Sequence, residues 1–227
     1  MCAAAMLAGA AVTVSAQMGG MMGGGASSMF RGVWSPVVGA GAEYQMTSTK
    51  GNGPSKIGIS IVGKEEVGGE PAYWMEIATQ DPRSGGDFYM KTLIVVNGGN
   101  TQGTKMIMQM PGRPPMEMDM QAMQMMGGGR PHAPQSADIS KGGTDVGSES
   151  VTVPAGTFTC EHYRNADGDD VWVSSKISPW GLVKMNGHEG NTMVLTRVIT
   201  DAKDMITGTP VQMQMPNMGG MGGPPQQ

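Results

Sequence analysis

The sequence predicts a mainly β domain of the α+β class. We expect an antiparallel meander with one or two short helices. Short runs of alternating apolar residues recur along the chain, and glycine-containing turns separate them at regular spacing. Strands do not alternate with long helical patterns, which favours a meander over a βαβ protein.

Composition narrows the possible partners. The 227 residues fit a single domain, and the net charge of −4 argues against a general binder of nucleic acid or anionic membranes. Aromatic residues make up only 5% of the chain, whereas its 25 methionines are the main compositional anomaly. Glycine and proline concentrate in the tails, which are therefore the low-complexity part of the chain.

The N-terminus is typical of a targeting segment. Residues 1–16 are apolar and rich in small side chains, and Val14-Ser15-Ala16 fits the small-x-small rule for signal peptidase. A buried N-terminal helix is the alternative. We predict a signal peptide and a periplasmic or otherwise exported protein. The predicted order is a signal peptide at 1–16, a Gly/Met-rich linker at 17–28, a single β-rich domain at 29–206, and a disordered Gly/Pro/Met tail at 207–227.

Five strands are predicted in the first half of the domain, because alternation places one set of side chains on each face. On the second strand Ile57, Ile59 and Ile61 share a face, and on the third Met75 and Ile77 do. The five runs are Glu43–Thr49, Lys56–Val67, Pro71–Thr79, Phe88–Val96 and Thr104–Met110.

A proline-rich break then interrupts the strands. Met116, Met120 and Met123 follow an i, i+4, i+7 spacing, which predicts a short helix over Met116–Met126 with a methionine face. Residues 127–145 are predicted to be a loop.

The stretch from Glu149 to Met185 carries the most regular pattern in the chain. Val151 and Val153 alternate with polar residues, and turn chemistry at 165–169 predicts a hairpin between the runs on either side of it. Pro179-Trp180-Gly181 forms a second corner. The remaining predicted strands are Thr157–Tyr163, Val171–Ser174, Leu182–Met185 and Thr192–Ile199.

Two segments of the sequence resemble a group of uncharacterised bacterial exported proteins: VTVPAGTFTCEHY and DVWVSSKISPWGLVKM. These proteins are similar to domain-of-unknown-function families placed near the LolA-like periplasmic lipoprotein-carrier superfamily. The resemblance covers roughly Gly41 to Thr200. The resemblance implies a curved antiparallel sheet, a half-barrel with one or more helices on its concave face and an apolar cavity. No catalytic residues carry over from it.

Catalytic and metal motifs are weak in this chain, and we predict neither an enzyme nor a bound cofactor. Cys160 and His162 share a strand face, but no third group orients them as a nucleophile and base. Gly127-Gly128-Gly129 lacks the Lys-Ser/Thr of a phosphate loop, and the Asp167 region lacks the glutamate of a calcium loop.

The predicted function is non-enzymatic binding or carriage of a lipid, an acyl chain or a lipidated partner in a methionine-lined groove. From the alternation of side chains along the strands, we predict that the groove is lined by Ile59, Ile61, Met75, Ile77, Met106, Met108 and Met110. One alternative is a periplasmic Cu(I)-binding protein, since thioether sulfur selects Cu(I). Its candidate ligands are Met116, Met120, Met123, Cys160 and His162. Another alternative is a structural or assembly component of the envelope, with envelope-associated partners and without nucleic acid.

Overall fold

The computed structural model describes residues 32–49, 54–80, 85–98, 100–120 and 138–212, so the predicted signal peptide and linker lie outside the described residues. The described residues form strands, turns and a short 3-10 helix at Ile139–Lys141. Among them no helix has the length and apolarity needed to span a bilayer. The strands are β1 Gly41–Thr47, β2 Ser55–Val67, β3 Glu70–Gln80, β4 Asp87–Asn97, β5 Asn100–Gln109, β6 Met116–Asp119, β7 Thr144–Val153, β8 Gly156–Arg164, β9 Asp170–Val173, β10 Leu182–Asn186, β11 Thr192–Ile199 and β12 Val211–Gln212.

All twelve strands belong to one sheet with the order β12-β6-β5-β4-β3-β2-β1-β11-β10-β9-β8-β7. Strands β1 to β6 form one antiparallel meander and β7 to β11 form a second, and the pairing of β1 with β11 joins them. The two-residue β12 lies parallel to β6 at one edge. The predicted mainly β, antiparallel class is therefore confirmed.

The register assigns every side chain of the first meander to one of two faces. Ile59 on β2 lies opposite Ile77 on β3, and this row continues through Met90 on β4 to Met108 on β5 and Met116 on β6. We call this side of the sheet the methionine face. The opposite side, which carries Glu76, Lys91 and Ile107, is called the strap face.

The main hydrophobic core lies on the methionine face around the seam between the two meanders. Tyr44 of β1 and Leu195 of β11 are paired and almost fully buried there. The corner from Ser174 to Gly181 contributes Ile177 and Trp180, which belong to the same cluster. Gly41 allows the close approach of β1 to β2, since a Cβ at this position would lie 2.5 Å from the Ile59 carbonyl oxygen.

The second meander curls at its free end. Strand β7 pairs with β8 at the edge of the sheet, yet it also approaches β10 and β11, which are two and three strands further in. A glycine bulge at Gly147 interrupts its register, and the charged residues Asp145 and Glu149 lie on either side of that bulge. Bulges and charges of this kind discourage edge-to-edge association.

Two predictions about the chain's connections need correction. Met116–Asp119 form a strand paired with β5, so the predicted helix does not begin at Met116; Met120 is helical, and the rest of the predicted helix, from residue 121, lies outside the described residues. The predicted loop is shorter than expected, because the 3-10 helix and the start of β7 occupy its end. The first residues of the predicted tail, 207–210, lead from the segment after β11 into β12.

Tyr44 provides a test of the seam. Its hydroxyl donates a 3.0 Å hydrogen bond to the carbonyl oxygen of Leu182, in a fully buried setting. Tyr44→Phe leaves that acceptor unsatisfied, and we expect it to lower the free energy of unfolding by about 1–2 kcal/mol in urea titrations. Tyr163→Phe is the matched control, because it removes the hydroxyl of a partly buried tyrosine that packs against the same core. Equal stabilities for the two variants would contradict this role of the Tyr44 hydroxyl.

Candidate ligand-binding face

Two rows of apolar side chains cross the methionine face from β2 to β6. The first row is the one that ends at Met108 and Met116, and the second runs from Ile61 through Met75 and Thr92 to Met106 and Met118. Directly opposed side chains in antiparallel strands have Cβ atoms about 4.5–5.5 Å apart. Six of the seven predicted groove residues therefore share one face in adjacent positions, and Met110 follows immediately after β5.

Burial divides the predicted groove residues into two groups. Ile59, Ile61, Met75 and Ile77 are at most 8% exposed and belong to the main core cluster, so they pack against the protein itself. Met108 is also buried, at 1% exposed. Met106 and Met110 are half-buried. The structure thus brings the predicted residues together, but it places most of them inside the packed core.

Further half-buried methionines lie beside Met106 and Met110. We define the methionine patch as Met90, Met106, Met110, Met116 and Met120, which are all half-buried on β4 to β6 or directly beside them. The Met120 thioether lies against Gly103 and Thr92, where a Cβ on Gly103 would be 3.0 Å from its sulfur. Buried Met118 lies between neighbouring members of the patch.

Sequence reasoning overlooked part of this patch. Met90 was not nominated, although it occupies the strand position opposite Ile77. Met116 and Met118 were assigned to a helix, and only their pairing with Met108 and Met106 reveals that they extend the sheet. The alternation Met116-x-Met118-x-Met120 was the available signal, because it has the period of a strand.

Cys160 and His162 lie on β8, on the face opposite the methionine patch by strand register. Eight strands separate β8 from β6 in the sheet order. The structure therefore does not bring Cys160 and His162 together with Met116 and Met120, and the candidate ligand Met123 lies outside the described residues. Within the described ranges, no group of three or more His, Cys, Asp or Glu side chains is arranged to hold a metal ion.

His162 is held by structural contacts. Its Nε2 lies 2.8 Å from a carboxylate oxygen of Asp170, and its Nδ1 lies 3.3 Å from Glu149. Its ring stacks on Trp172 with centroids 4.4 Å apart, while the Trp172 indole nitrogen donates to Glu149 at 2.6 Å. Lys184 covers the Trp172 ring at 5.0 Å. These contacts fasten β7, β8, β9 and β10 to one another.

Cys160 is a buried thiol. It is 1% exposed, and its Sγ donates to the carbonyl oxygen of Phe158 at 3.6 Å. Burial, with smaller contributions from Glu149 and Glu161, raises the pKa of Cys160 to about 11. Since the thiolate is the nucleophilic form, this environment suppresses reactivity.

A small cleft opens on the strap-face side of β1 and β11, beneath the turn between β7 and β8. Its volume is about 190 Å³, below the range of about 300–1,000 Å³ typical of small-molecule sites. Its walls are formed by Gln45, Thr47, Pro154, Thr192, Val194 and Thr196.

Comparisons with known proteins found solved structures of low identity and low TM-score. No family model and no curated protein matches the sequence. A Parabacteroides distasonis protein provisionally described as a lipoprotein is 14% identical, with a TM-score of 0.36 over 74% of this chain and 98% of its own. A Bacteroides fragilis protein, provisionally described as exported and as having a YmcC-like fold, is 13% identical, with a TM-score of 0.39 over 74% and 99%.

MucB is a further similar structure, 11% identical with a TM-score of 0.37 over 75% of this chain and 57% of its own. The resemblance to the lipoprotein-carrier superfamily stays a prediction.

Alkylation tests the state of Cys160. In a Cys2→Ser background, we expect the Cys160 thiol to react on the order of 100-fold more slowly at pH 8 than an exposed cysteine, and to become fully reactive in urea. Ser150→Cys, combined with Cys160→Ala, supplies the exposed reference on β7. Fast labelling of native Cys160 would show that the thiol is accessible and ionised.

Proposed function

We propose that this chain is an exported, non-enzymatic binding module that holds an acyl chain or a similar apolar group against the methionine patch. One observation carries the proposal: strand register places half-buried methionines from three adjacent segments side by side. Export is supported by the apolar leader pattern and its small-x-small site at Val14-Ser15-Ala16.

The chemistry of methionine suits this role. Its unbranched side chain has three rotatable bonds and a polarisable sulfur, so a group of methionines adapts to ligands of varying shape. Each Å² of apolar surface removed from water contributes about 25 cal/mol before ordering costs are subtracted. Because the patch is already half-buried, a ligand gains only from the remaining exposed area, which favours long, flexible groups over small rigid ones.

Buried residues lie between the members of the patch in the same two rows. Met108 and Met118 are at most 8% exposed, and the core residues Ile77 and Met75 continue these rows. A ligand would therefore contact adaptable side chains that have fixed apolar neighbours. Curvature of the sheet towards this face, as in a half-barrel, would increase the contact area and forms part of the proposal.

A titration with a dansylated fatty acid tests acyl binding. We expect saturable fluorescence enhancement with wild-type protein, and at least about tenfold weaker binding after combined Met106→Glu and Met116→Glu, because burying charge against an acyl chain is costly. Gln102→Glu adds a carboxylate at an exposed position of β5 and should leave affinity unchanged. Absence of binding, or equal loss in the control, would refute the proposal.

A second candidate is Cu(I) binding by the same methionines. The cross-strand pairs Met106–Met118 and Met108–Met116 bring thioethers from two strands next to one another. Soft thioether sulfur is a ligand type that selects Cu(I).

Leucine substitutions separate the two candidates, because leucine keeps the apolar volume but removes the sulfur. For Met106→Leu, Met116→Leu and Met118→Leu combined, acyl binding predicts a fatty-acid affinity within about threefold of wild type. Copper binding predicts that Cu(I) uptake against a competing chelator is abolished in the same protein. If fatty-acid binding is lost while Cu(I) uptake by wild type is strong, the second candidate replaces the first.

A further inference from the structure

The segment that follows β11 crosses the strap face from the seam to the far edge of the sheet. We call residues 201–210 the strap. The amide of Ala202 donates to the Gly39 carbonyl at 2.8 Å, and the amide of Thr207 donates to the Gln109 side chain at 3.0 Å. After the strap, the amide of Val211 donates to the Pro115 carbonyl at 2.9 Å. A few directional contacts thus hold this segment in place.

The central attachment of the strap is a buried carboxyl group. Glu76 of β3 is 4% exposed, and its two carboxyl oxygens lie 3.1 and 3.3 Å from the donating amide nitrogen of Met205. The neighbouring Asp204 accepts from the amide of Ile206 at 3.0 Å and forms an ion pair with Lys91.

Few charges surround this pair. Lys91, opposite Glu76 on β4, forms an ion pair with Asp204 and also lies 5.2 Å from the Trp74 ring centroid. Tyr89 of β4 is also near enough to sense the Glu76 charge, and Ser60 faces Glu76 from β2. Lys91 is already paired with Asp204, so a charged Glu76 would be buried with the Met205 amide as its donor and with no ion-pair partner among the described residues.

We propose that the strap is a proton-dependent latch, closed while the buried Glu76 carboxyl group is protonated and opened when it loses that proton. Opening would uncover the strap face of β3 to β5, where Leu93 and Ile107 are at most 6% exposed, and would free Ile206, which is 8% exposed. The latch lies on the opposite face from the methionine patch and is independent of the function proposed for it.

The direction of the pH dependence follows from Glu76. Desolvation, and then Asp204, raise the pKa of Glu76 to about 7 from an ordinary value of 4.5, while the Met205 amide opposes the shift. A raised folded-state pKa contributes stability that is fully present below the ordinary pKa and is lost as pH rises through the folded one. The latch is therefore tightest below about pH 4.5, and its stabilisation declines until about pH 7.

Hydrogen exchange at the strap amides measures this directly. We expect the protection factors of Met205 and Thr207, corrected for intrinsic rates, to fall on the order of 100-fold between pH 5 and pH 8. Protection at Ile59 in the core should not fall with them. A parallel fall at Ile59 would show that the whole domain responds, and unchanged protection at the strap would show that no latch exists; either result overturns the proposal.

Glu76→Gln is the decisive variant, because the amide oxygen still accepts from Met205 while the group stays neutral at every pH. We expect strap protection in this variant to be independent of pH. Glu66→Gln, at an exposed position of β2, is the matched control and should retain the wild-type dependence. If Glu76→Gln does not fold, Asp204→Asn, at the more exposed of the two carboxyl groups, is the second variant. We expect it to reduce the pH dependence of strap protection in part. A wild-type pH dependence of strap protection in the variant that is measured would overturn the proposal.

Discussion

The pairing of β1 with β11 is the contact on which the rest of the structure depends. Hairpins between neighbouring strands hold each meander together. The pairing of β1 with β11, two segments about 150 residues apart in the chain, joins the meanders into one sheet. The buried Tyr44 hydroxyl bonds to the Leu182 carbonyl, and Arg197 forms a bidentate ion pair with Glu43 beside a bulge. That ion pair is exposed and adds little stability, so the buried hydroxyl and the apolar pairs beside it secure the seam.

The seam also explains which parts of the fold were predictable. Alternation in the second to fifth strands predicted both their existence and their faces, because a slip of one residue would exchange buried and exposed side chains. The hairpin around residues 165–169 followed from its turn chemistry in the same way. The pairing of β1 with β11 has no local signal, since it depends on which edges remain after each meander has formed.

The incorrect expectations have physical causes that individual residues make clear. Met116 and Met118 have side chains compatible with helix or strand, and pairing with β5 decides between them. The strap was overlooked because acceptors elsewhere in the chain, the buried Glu76 and the half-buried Gln109, hold it, and because its last residues, 207–210, have the composition of the tail. The predicted groove residues share one face, but alternation cannot distinguish a side chain that lines a core from one that lines a site, as Ile61 and Met106 show.

The two faces of β3 to β5 are stabilised in different ways, although their side chains alternate along the same strands. On the methionine face, stabilisation comes from contact area shared among many apolar groups, so no single residue controls it and it varies little with pH. On the strap face, Glu76, Lys91 and Asp204 concentrate the attachment of a whole segment in one charged cluster. A charged cluster in a desolvated setting responds sharply to the gain or loss of one proton, whereas an apolar surface does not. Alternation along one strand therefore combines an adaptable surface with a sensitive one, with Met90 on one side of β4 and Lys91 on the other.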